Sequence, residues 1–247
     1  MTSSNPALPE NTFLNVSRVA DRSEAMTIQG TVTKTAILLL CVLATAGWTW
    51  IQFFKTGMTS TITTLMWVGV LGGLVMAMVT IFKKEWAPIT APVYALLEGF
   101  FIGAISAVLE ASYPGIAMQA AGLTFATLFT LLFAYSAGLV KATESFKMGV
   151  IAATGGIAIV YLVTIVLSFF HVQVPVIYGN GTFGILFSVF VCVIAALNLV
   201  IDFDFIEQGA QRGAPKYMEW YGAFALMVTL VWLYIETLRL LSKIRSR

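Results

Sequence analysis

A chain of 247 residues that is 59% hydrophobic and 11% charged, with a mean hydropathy of +0.89, cannot cover a water-facing surface. Soluble domains carry roughly 25% charged residues, so most of this surface has to face lipid. The formal net charge of +2, and the lack of a basic helix with interleaved aromatics, argue against nucleic acid as a partner.

Residues 1–30 are polar and mixed in charge, carry Pro6 and Pro9, and hold no apolar run ahead of a small-residue cleavage site. They read as a disordered tail rather than a signal peptide. Seven apolar runs follow, at residues 35–54, 61–82, 88–109, 116–140, 148–170, 183–205 and 217–241. Each is long enough to cross a hydrocarbon layer of about 30 Å at about 1.5 Å per residue. They are continuously apolar rather than alternating, which predicts helices and not a barrel. The links between them are short, so neighbouring spans run antiparallel. The expected fold is all-α, a polytopic bundle of seven transmembrane helices over residues 31–247.

Lys and Arg set the expected orientation. Arg18, Arg22, Lys34, Lys83, Lys84, Lys141, Lys147, Arg212 and Lys216 fall on one side, which places the N-terminus in the cytoplasm. The basic end, with Arg239, Lys243, Arg245 and Arg247, then lies outside, or the seventh span stops short of crossing. Seven crossings are the preferred reading, because residues 217–241 suffice for one.

Cys41 and Cys192 lie inside apolar runs at no metal-ligand spacing and read as small buried hydrophobes. His171 reads as a surface histidine in a short link. Gly69-x-x-x-Gly73 and Gly99-x-x-x-Gly103 each put two glycines on one helix face, the pattern of close helix contact.

Chemistry in such a chain belongs to ionisable residues inside the apolar runs. A charged Asp near a helix centre costs about 2.5–3.5 kcal/mol on insertion scales, so it usually faces the bundle interior. Glu98 sits about 15 Å into the third span at helical rise. Asp202 and Asp204 lie toward the end of the sixth, about 200° apart around the helix, so both cannot face inward. Asn198 shares the face of Asp202, which makes Asp202 the interior residue and leaves Asp204 nearer the headgroups. Glu219 opens the seventh span. Glu236 lies deep in it, three residues before Arg239, where the two can pair along the helix. Two acids on different helices could share a proton and hold those helices together; losing it would add repulsion or leave an oxygen cage suited to Ca²⁺. Asp202 and Glu98 are the candidate cation ligands, and Lys83 or Lys84 is the candidate latch for an ionised Asp202.

The run Ala91-Pro-Val-Tyr-Ala-Leu-Leu-Glu98-Gly-Phe-Phe-Ile-Gly-Ala-Ile-Ser106 resembles the Bax inhibitor (TMBIM) family in its bacterial YccA-like branch. So do Ala196-Leu-Asn-Leu-Val-Ile-Asp202-Phe-Asp204-Phe-Ile-Glu207, Pro215-Lys-Tyr-Met-Glu219-Trp-Tyr and Trp232-Leu-Tyr-Ile-Glu-Thr-Leu-Arg-Leu-Leu. The resemblance implies a bundle with its last helix at the centre, in a bacterial inner membrane. It also implies a pH-sensitive Ca²⁺ leak gated by a carboxylate pair between helices six and seven. Asp202 matches the helix-six position. The helix-seven position falls near Thr229, which is not acidic, so Glu98, Glu219 or Glu236 would have to stand in, or the gate is absent.

Two readings follow. One is a passive, pH-tuned leak for Ca²⁺ or H⁺ using Asp202, Glu98, Glu236 and Asp204. The other is a non-conducting interaction protein that modulates a membrane-bound protease, a role the resemblance brings from some bacterial members. No nucleophile–base or metal-ligand constellation suggests an enzyme, and no resident cofactor is expected.

Overall fold

The computed structural model describes residues 25–170 and 179–247. The expected disorder of residues 1–24 and the placement of His171 lie outside this range. Among the described residues seven helices are long and apolar enough to cross a membrane: α1 (Ile28–Thr56), α2 (Ser60–Phe82), α3 (Ala87–Ser112), α4 (Ile116–Ser136), α5 (Glu144–Phe169), α6 (Thr182–Gln211) and α7 (Met218–Arg245). A 3₁₀ turn, Lys84–Trp86, joins α2 to α3. With every link short, the starts of α1, α3, α5 and α7 share one end of the bundle, called here the N-face, and Arg245 lies at the opposite face.

Local chemistry sets several of the helix starts. Thr27, Thr59 and Thr143 are extended residues whose hydroxyls accept from the backbone N–H groups of Gly30, Ile62 and Phe146. Gly115, at φ 84°, turns the chain into α4. The Glu110 carboxylate then accepts from the N–H groups of Gly115 at 2.5 Å and Ala117 at 3.0 Å, where the positive end of the helix dipole favours an anion.

The first helix begins earlier than its apolar run. Thr27 caps it, and Met26, only 2% exposed, donates its N–H to Ala214 O at 2.6 Å. Ala25 pairs with Pro215 in an antiparallel bridge. The expected tail boundary at residue 30 therefore moves back: residues 25–30 belong to the bundle. Lys34 and Gln29 dilute hydropathy there, while the contacts that order the segment come from nearly 190 residues away.

The two glycine pairs bring backbones together in series. A Cβ on Gly69 would stand 2.7 Å from Leu97 O of α3, and one on Gly103 would stand 2.5 Å from Ala46 O of α1. Thus α3 is gripped by α2 on one side and α1 on the other. The last helix is central as expected: α7 packs on α1, α3, α4 and α6. Of its most apolar 18-residue window 61% is buried, against 17% for α1, α2 and α5, whose outward faces are left to lipid.

Candidate functional site around the central helix

Asp202 is fully buried on α6, among the core residues Leu199, Phe203, Phe205 and Ile206. One turn earlier, the Asn198 amide donates to Thr154 Oγ1 of α5 at 2.9 Å and to Ile194 O at 2.8 Å. Asp204, two residues on, points elsewhere, as the helical angle requires. It pairs with Lys147 Nζ of α5 at 2.8 Å and accepts from Gln208 Nε2 at 2.5 Å. Glu207 follows on that side and accepts from Tyr135 Oη at 2.5 Å. Tyr135, Lys141, Asp204 and Glu207 help line a polar cavity of about 360 Å³ at the N-face. Glu207 was not among the expected site residues; its spacing of three from Asp204 was the available signal.

Glu98 lies in the seam between α2 and α3, where a Cβ on Gly73 would stand 2.9 Å from its Oε2. Asp202 lies on a different helix: α3 and α6 each pack on α7. Among the described residues no three His, Cys, Asp or Glu side chains converge as a metal site. Thr229, at the expected helix-seven acid position, is 3% exposed and turns its hydroxyl toward Ala225 O at 3.4 Å.

The candidate latch lysines lie at the N-face. The Lys84 amine, in the turn ahead of α3, stands 5.7 Å from the centroid of the Tyr221 ring. Asp202 is about 14 Å along α6 from its N-face end at Gln211, so a latch between them has that depth to span.

Both ends of α7 carry fixed charge. At the N-face, Glu219 is fully buried and accepts from Thr27 N at 2.9 Å and Thr27 Oγ1 at 2.8 Å. It also pairs with Lys34 and, at 2.9 Å, with Lys216. Gly30 leaves the room, since a Cβ there would run into the Glu219 carboxylate. Toward the opposite face, Glu236 is 1% exposed and paired with Arg239 at 2.8 Å. Tyr161 Oη of α5 donates to Glu236 at 3.0 Å and accepts from Arg239 at 2.6 Å. Lys243 is buried as well and donates to Gly184 O at 3.0 Å and Ser188 Oγ at 2.9 Å, both on α6. Glu236 thus forms the expected pair along the helix, and adds a tie to α5 that spacing within α7 could not reveal.

Comparison with known proteins adds one result. Searches of curated proteins and of solved structures return no match. A family model described as "Bax inhibitor 1 like" matches residues 5–246. That match takes in all seven helices, Asp202 and the charged ends of α7, and the chain belongs to the Bax inhibitor 1 like family.

Proposed function

We propose that this protein is a passive, pH-sensitive cation leak of a bacterial inner membrane, carrying Ca²⁺ or H⁺, with Asp202 as its gating carboxylate. One observation carries the reading: a carboxylate with no exposed surface on α6, in a segment that crosses the bilayer. Ionising it there is costly, so binding a proton or a cation is tied to how α6 packs. The other acids divide by their partners. Asp204, Glu219 and Glu236 are held by lysine or arginine and act as anchors, and Glu98 stands apart between α2 and α3. The leak therefore depends on one acid rather than a pair.

The test is Ca²⁺ and H⁺ flux through purified protein in vesicles, followed across pH. Asp202→Asn, which keeps the shape and removes the charge, is expected to flatten the pH profile, while Glu98→Gln leaves it intact. An unaltered profile in Asp202→Asn overturns the assignment. The absence of a second acid at Thr229 favours another reading, a non-conducting protein that modulates a membrane-bound protease. That reading predicts no flux from the unaltered protein at any pH.

A further inference from the structure

A cavity of about 240 Å³ lies between α1, α3, α4 and α7, away from Asp202. Its walls are almost wholly apolar, with Leu39, Val42, Ala46 and Trp50 on α1 facing Ala117, Ala121 and Phe125 on α4. Small residues leave the space: Gly47, Ala117 and Ala121 face one another where larger side chains would close it. The volume exceeds that of dry engineered cavities of about 150 Å³ that hold benzene, so a length of hydrocarbon fits.

Two facts identify the occupant. The first is depth. Leu43 and Gly47 line the cavity and are exposed, and they stand about 22 and 28 Å along α1 from Ile28. With about 30 Å of a longer helix inside hydrocarbon, the opening meets acyl chains rather than water. The second is a proton count. Ser106 Oγ and Tyr234 Oη, both on the wall, share one hydrogen bond of 2.7 Å. Two hydroxyls bring two protons, and one bond uses one of them. Among the described residues neither oxygen makes another hydrogen bond, and Ser106 is 3% exposed. One O–H is therefore left without an acceptor in an apolar wall, at a cost of about 1–3 kcal/mol. Ser106 is about 9 Å from the α3 end at Ser112, close to the edge of the hydrocarbon layer where ester groups begin.

We infer that this cavity is a binding site for one acyl chain of a membrane phospholipid, whose ester carbonyl accepts the spare proton of the Ser106–Tyr234 pair. Its floor is Met227, Leu230, Val231 and Tyr234 of α7, so the bound chain touches the central helix directly. The inference does not rest on the leak.

The test uses the full chain in vesicles containing a phosphatidylethanolamine with a photoreactive diazirine in one acyl chain. After illumination, labelled peptides are mapped. Label at least five-fold richer on the cavity walls of α4 and α7 than on the outward faces of α2 and α5 is expected. Gly47→Leu fills the opening, and a Cβ there meets nothing within 4 Å, so the helices need not shift. It should abolish the enrichment while leaving thermal unfolding in detergent unchanged. Tyr234→Phe, which keeps the wall but removes a donor, should lower the enrichment two- to three-fold. Uniform labelling of all lipid-facing helices in the unaltered protein overturns the inference. So does enrichment that survives Gly47→Leu.

Discussion

The two ends of α7 solve the same problem with opposite charge. At the N-face a buried carboxylate, Glu219, draws in Thr27, Lys34 and Lys216. Toward the opposite face, cations reach outward, the buried Lys243 to α6 and the partly exposed Arg239 to α5. The signs match the helix macrodipole, whose positive end is the N-terminus. The difference lies in what is gathered. The Glu219 cluster recruits a strap of chain from the beginning of the sequence, whereas Lys243 and Arg239 bond to helices that already pack nearby. A central helix fixed by charge at each end can leave its middle apolar.

That contrast can be broken at its strongest point first. Glu219→Ala removes an acceptor of two lysines and of the α1 cap, and breaking a buried ion pair costs about 3–5 kcal/mol. A marked fall in unfolding temperature in detergent is expected, together with new protease sensitivity near residues 25–30. An unfolding temperature equal to that of the unaltered protein would show that the cluster does not hold the strap. At the other end, Lys243→Met keeps the length and volume of the side chain but leaves Gly184 O and Ser188 Oγ without their donor. A loss of about 1–3 kcal/mol is expected in a denaturant titration, with the strap still protected. The smallest effect belongs to Lys216, which is half exposed at 51%. Lys216→Ala should cost no more than about 1 kcal/mol, and that difference should shrink as salt is raised. A large, salt-independent loss would make Lys216 an equal partner of Lys34.

Much of the fold was legible because lipid imposes a simple rule. Long runs without charge can only be spans, and seven were counted where seven helices stand. Two residues of helical rotation separate Asp202 from Asp204, and the structure buries the first and gives the second to Lys147. The glycine pairs were read as packing faces, and Leu97 and Ala46 lie where a Cβ would strike. Partners were the illegible part. Pairing Lys84 with Asp202 presumes similar depth, whereas the turn between α2 and α3 holds Lys84 at the N-face beside Tyr221. Glu98 and Asp202 share a chemical character but pack on the central helix from two other helices, α3 and α6.

Hydropathy and helical angle, which depend on near neighbours in the chain, determined the number of spans, their antiparallel order and which face of α6 turns inward. Distant contacts decided the rest: that Thr27, ahead of the apolar run, opens the first helix, that Glu219 gathers Thr27, Lys34 and Lys216, and that Glu98 and Asp202 lie on different helices around α7. A side chain's partner depends on rotation and depth between helices, and those are set by glycine contacts and buried charges that meet only after the bundle closes.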